Sequence, residues 1–120
     1  MIFYFSTTGN TLWAARQISQ ATGEQLVPIT DDTYPVDITL NEGELLGFCF
    51  PVHGWRPPLI VRRFISRLVA ENLSQHYVFA LCTAGDTVGE AIDIFRNDLW
   101  QRSIPLHAVG SLLMPESYVG

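Results

Sequence analysis

The chain is 120 residues long, 48% apolar and 16% charged, which describes one core-forming domain and not a disordered tail. Its cations are seven arginines with no lysine, and twelve acids bring the formal charge to -5. That balance argues against nucleic acid, which needs clustered cations to displace phosphate counterions, and against an anionic membrane surface. No apolar run approaches the ~20 residues that span a bilayer. Met1 leads straight into a strand-like run without the basic start or small-residue site of a leader, so a cytoplasmic protein is expected.

Ile2 to Phe5 is the first β-rich run, and it stops at a cluster of Ser, Thr and Gly. Asn10 to Ala21 has helical spacing, with Leu12, Ala14, Ala15, Ile18 and Ala21 on its inner side and Gly23 where a left-handed cap belongs. Leu26 to Ile29 is a second, weaker strand. Thr30 to Glu44 carries Asp31, Asp32, Asp37, Glu42 and Glu44 with Pro35 and Gly43, and reads as an extended connection with room for one short helical turn. Leu45 to Phe50 is a third strand, ended by Pro51. Pro57 and Pro58 suit the first turn of a helix whose stripe is Val61, Phe64, Ile65 and Leu68. Tyr77 to Cys82 is a fourth strand. Thr87 and Glu90 form a capping box for a third helix, striped by Val88, Ala91, Ile92, Phe95 and Leu99. Leu106 to Met114 is a fifth strand, ended by Pro115.

The first, third and fourth strands are apolar at consecutive positions, as in strands covered on both faces of a parallel sheet. Strands alternating with helices predict a single α/β domain over residues 1–120, an open sheet with right-handed crossovers. Such sheets bind ligands beyond the carboxyl ends of their strands, where the strand order reverses. The loops after strands one, three and four therefore matter most. Cys49 and Cys82 lie in apolar runs and are expected as reduced core thiols, not a disulfide. With no ligand-spaced histidine they make no metal site.

The loop after strand one is Ser6-Thr7-Thr8-Gly9-Asn10-Thr11. A helix amino terminus offers unpaired N–H groups and a partial positive charge, hydroxyls add donors, and Gly9 lets the backbone close around an oxyanion. A phosphate monoester is the natural guest; an ordinary hydroxyl-rich helix cap is the plainer reading. The loop has no Lys or Arg, and neither GxxxxGK[ST] nor GxGxxG is present. It is thus suited to holding a phosphate that does not react. The loop after strand three contains Pro51, Val52, His53, Gly54, Trp55 and Arg56. Trp55 is either packed on its own loop or a platform for a flat ring. Gly54 permits close backbone approach to a ring's polar edge. His53 is an acid/base candidate or a solvated loop histidine. After strand four, Thr83, Ala84 and Gly85 leave room for a ligand edge, and Asp86 either accepts a hydrogen bond from it or caps the next helix. Other catalytic patterns fail on spacing: Cys49 to Arg56 is C-x6-R, Cys82 has Val88 at the corresponding arginine position, and no G-x-S-x-G elbow exists.

These residues resemble a family. S-T-T-G-N-T after strand one resembles the flavodoxin phosphate loop, T/S-x-T-G-x-T. F-P-V-H-G-W-R-P-P, Phe50 to Pro58, is similar to the flavodoxin-like part of ferredoxin–flavodoxin fusion proteins, where P-V-x-x-W follows a strand. M-P-E-S-Y, Met114 to Tyr118, resembles their M-P-x-N-Y turn with Ser117 in place of Asn. The resemblance implies a five-stranded parallel sheet of order 2-1-3-4-5 and non-covalent FMN. Ser6, Thr7, Thr8, Asn10, Thr11 and the Gly9 backbone would hold the phosphate. Pro51 to Trp55 and Thr83 to Asp86 would border the isoalloxazine, with Tyr118 reaching the ring. It further implies electron transfer with a redox protein of ferredoxin or reductase type. An FMN-dependent NAD(P)H reductase of quinones or small acceptors is the enzymatic alternative. A flavodoxin-fold interaction module that has lost FMN is the non-enzymatic one. The sequence ends at Gly120, before the family's last helix and the fusion proteins' cysteine-rich part. That predicts an uncovered apolar sheet face, covered either by a partner protein or by a second copy of the chain as a homodimer.

Overall fold

The computed structural model describes residues 1–7, 9–71, 73–84 and 88–113. Five parallel strands form one sheet: β1 (Ile2–Tyr4), β2 (Leu26–Pro28), β4 (Leu46–Pro51), β6 (Val78–Ala84) and β7 (Ala108–Leu113). Their spatial order is β2-β1-β4-β6-β7. Numbered among themselves along the chain, these five strands stand in the order 2-1-3-4-5. The order reverses between β1 and β4, which places the switch point there.

β3 (Val36–Ile38) and β5 (Leu68–Ala70) form a separate two-stranded parallel sheet. This corrects two expectations. The segment from Thr30 to Glu44 is not only a connection, because Val36 and Ile38 turn inward around the exposed Asp37. Leu68 leaves the helical stripe and opens β5, buried at 1% exposure. Arg63, near the end of a helix, and Arg67, just past that end, hold the preceding loop. Arg63 pairs both guanidinium nitrogens with Asp31, and Arg67 donates to the carbonyls of Thr30 and Tyr34. The hydrogen bond from Arg63 holds the Asp31 carboxyl below its ordinary value.

Among the described residues there are three α-helices: α1 (Asn10–Thr22), α2 (Leu59–Ser66) and α3 (Gly89–Trp100). α1 covers one face, over Ile2, Cys49 and the half-buried Phe79 and Leu81. It ends at Gly23, whose φ of 77 lets its N–H reach Ser19 O at 2.8 Å. Ala21, expected inside, is exposed in the last turn. α2 and α3 cover the other face, joined by a two-pronged ion pair from Arg62 to Asp98. The cap of α3 is Val88, with no side-chain cap bond. The expected capping box is thereby displaced, and Thr87 lies outside the described residues. No helix among the described residues is long and apolar enough to cross a membrane.

The main core lies under α2 and α3. Phe3, Phe48, Phe50, Phe64 and Phe95 meet there ring against ring. Cys49 and Cys82 are free, and alternation along neighbouring strands places them in the cores on opposite faces. Burial pushes both thiols up to about 12. The folded protein should therefore be inert to thiol reagents at neutral pH, with both sulfurs reacting after denaturation. The raised values also carry a pH dependence. Stability is complete below the ordinary thiol value of 9.0 and declines above it, because the unfolded chain ionises first. Rapid labelling of either native thiol would contradict this placement.

Candidate functional site

β1, β4 and β6 are adjacent and parallel, so the loops that follow them leave the same edge of the sheet side by side. The backbone ties these exits together. Phe5 N–H donates to Cys49 O at 2.9 Å, and Val52 N–H donates to Thr83 O at 3.0 Å.

The first loop turns into α1 at Gly9, whose φ of 94 and ψ of -16 put the residue before the helix in the left-handed region. A side chain there would be strained. Gly9 N–H donates to Ser6 Oγ at 3.0 Å, and the first intrahelical bond runs from Trp13 N–H to Gly9 O at 2.9 Å. First-turn N–H groups have no acceptor inside their own helix and concentrate positive potential. The first turn of α1 holds no acidic residue to oppose an anion. Ser6 and Asn10 are half-buried, while Thr7 and Gly9 are exposed. Thr11 is 2% exposed, and its hydroxyl lies 2.7 Å from that of Thr83, itself 4% exposed. Thr8 lies outside the described residues.

The second loop is a two-residue hairpin. His53 and Arg56 exchange both backbone hydrogen bonds at 3.0 Å, with Gly54 at φ 56 and Trp55 at φ 66 between them. Two positive φ values in succession give a type I′ turn, a geometry that normally selects Asn and Gly. Trp55 is 64% exposed, so of its two readings, packing on its own loop is not what the structure shows. His53 and Arg56 are also exposed, Pro51 and Val52 half-buried. Behind the hairpin Pro57 and Pro58 are buried, and Pro58 O accepts from Val61 and Arg62 N–H to start α2. In the third loop Thr83 and Ala84 are described as the end of β6. Gly85, Asp86 and the Met114–Tyr118 stretch lie outside the described residues.

The structure thus brings Ser6, Gly9, Asn10, Thr11, Pro51 to Trp55, Thr83 and Ala84 to one edge. Two features went unforeseen: the Thr11–Thr83 bond and the backbone of Trp55. A hydroxyl at the first helical turn and another at a strand end are visible in the sequence, but their pairing depends on the register of β6. A different cleft of about 530 Å³, lined by Asp37 to Leu40, Val69, Glu71 and His76, lies beside the second sheet. Its imidazole is committed, Nδ1–H donating to Glu44 O at 2.7 Å. It is lined by the carboxylates of Asp37 and Glu71, whereas the strand-end loops carry hydroxyls and helix N–H groups.

No family model and no curated protein matches the chain. Solved structures do. A candidate flavoprotein from Bacteroides eggerthii DSM 20697 is similar at TM-score 0.69 and 18% identity, over 98% of this chain and 91% of that one. A second from Bacteroides uniformis ATCC 8492 gives 0.66 and 17%, over 98% and 93%. The Trp repressor binding protein of Bacillus subtilis gives 0.63 and 12%, over 98% and 87%. None of the three is described as a ferredoxin fusion. At these identities the likeness is one of architecture, and the fold is that of a flavodoxin-like domain: a five-stranded parallel sheet between helical layers.

Proposed function

We propose that this domain binds FMN non-covalently at the carboxyl edge of its sheet and exchanges electrons with a redox protein of ferredoxin or reductase type. The observation that carries the reading is the uncharged cradle at α1: left-handed Gly9 ahead of a helix start whose first turn holds no acid to oppose an anion. That donor set fits a phosphate monoester, which needs hydrogen-bond donors and positive potential without a reactive cation. Two of the structural neighbours are described as candidate flavoproteins, which supports a flavin as the guest.

On this reading Ser6, Thr7, Thr8, Asn10 and Thr11 surround the phosphate with the Gly9 backbone. Pro51 to Trp55 and Ala84 to Asp86 border the ring. Bound FMN would supply the redox chemistry, while the protein orients and screens it. The hairpin positions the indole of Trp55 as a stacking surface and water shield, and its neighbouring amides meet the ring's polar edge.

Titration of the purified chain with FMN, followed by flavin fluorescence, tests the proposal. Saturable one-to-one quenching is expected, with weaker binding of riboflavin because the phosphate contacts are missing. Absence of saturable quenching would refute it. Turnover of NAD(P)H by the loaded protein would favour the reductase alternative over electron carriage.

A further inference from the structure

Thr11 and Thr83 are the buried polar side chains among the described residues, and they are bonded to each other across 72 positions of sequence. Stability alone gives little reason for this pair. Two buried hydroxyls satisfied by one another are roughly equivalent to two apolar groups of the same shape, and valine has that shape. The pair sits where α1 begins and β6 ends, between the cradle and the sheet. β6 is held on both sides, Thr83 standing opposite Pro51 on β4 and Leu112 on β7. Thr83 is therefore a fixed point against which the first turn of α1 is set.

The direction of the bond matters. A hydroxyl has one proton and two lone pairs. If Thr11 donated to Thr83, it would face the cradle with lone pairs only, which repel an anion. If Thr83 donates, Thr11 keeps its proton, and accepting a hydrogen bond makes that proton a stronger donor.

We infer that Thr83 is a positioning residue for phosphate recognition: its hydroxyl donates to Thr11 Oγ1 and so commits the Thr11 O–H to the phosphate of FMN. This moves Thr83 from the ring edge to the phosphate end of the site, and it rests on the FMN reading above.

The test is a flavin titration of wild type, Thr83→Val, Thr83→Ser, Thr11→Val and the double valine variant, each with FMN and with riboflavin. Thr83→Val should weaken FMN about tenfold, as expected for one charge-assisted hydrogen bond, and leave riboflavin unchanged. Thr83→Ser should restore FMN binding. In the Thr11→Val background, Thr83→Val should have no further effect. A merely structural role would weaken both flavins alike and would not be read through Thr11. Equal losses, an unchanged FMN affinity or failure of serine to rescue would overturn the inference. Should the valine variant not fold, Thr83→Ala carries the same comparison. Wild-type protein that binds no flavin would refute the functional reading itself, an outcome distinct from wild type binding FMN while Thr83→Val changes nothing.

Discussion

Replacing Phe95 by alanine should cost the fold about 3–5 kcal/mol, the range for truncating a buried aromatic ring. Phe95 is fully buried on α3 and stands between two strand phenylalanines, 5.4 Å from the ring of Phe48 and 4.6 Å from that of Phe50. Its neighbours are poorly placed to close the gap. Phe48 and Phe50 are fixed by β4, which is paired on both sides, and the α2–α3 contact is pinned by the Arg62–Asp98 pair. A void there keeps most of its volume. For a domain whose whole stability is of order 5–15 kcal/mol, the loss is a large fraction. Trp100 on the same helix is 65% exposed, and its alanine variant should shift stability by less than about 0.5 kcal/mol. Urea denaturation of both variants at unchanged m-value makes the comparison. A Phe95→Ala loss under about 1 kcal/mol, far below the expected range for a buried ring, would mean that α3 is not seated on the sheet as described.

That core was legible because its carriers are long and uniform. Leu46 to Phe50 are all buried, so the continuous apolar run could only be an interior strand. The stripe from Ala91 to Leu99 is likewise buried at every expected position. The second sheet was illegible for the opposite reason. Its strands have three residues each, and Leu68 satisfies a helical stripe and a strand equally well, being buried in either. Tertiary pairing decided what local pattern left degenerate. The same limit applies at the candidate site. The cradle could be read from composition, since its chemistry is local: hydroxyls, a glycine and a helix start within six residues. The Thr11–Thr83 bond joins two elements brought together by the β4–β6 and α1 packing, and no spacing rule reports it. Trp55 was legible as an unusual residue in a turn, but not as a left-handed one. The Gly54-Trp55 order offers a bulky side chain at a position where turn statistics expect Gly or Asn.

Trp55→Asn should make the apoprotein more stable while weakening its hold on flavin. A non-glycine residue in the left-handed region costs about 1–2 kcal/mol, and asparagine tolerates that region far better than a bulky aromatic. With 64% of the residue exposed, Trp55 recovers little of this by packing. Relief of the backbone should thus raise the unfolding free energy by about 1 kcal/mol. Loss of the indole removes a stacking surface worth about 1–3 kcal/mol when an aromatic ring lies on it, so affinity should fall roughly tenfold to hundredfold. FMN and riboflavin should lose equally, because they share the ring; the Thr83 variants, by contrast, separate them. Trp55→Phe should retain the strain and part of the affinity. Urea midpoints of the flavin-free proteins and fluorescence titrations of each variant measure the two quantities separately. If asparagine lowers stability as well as affinity, the indole is packing on its own protein. If affinity stays unchanged, the ring binds elsewhere, and the strain at Trp55 has no part in holding it.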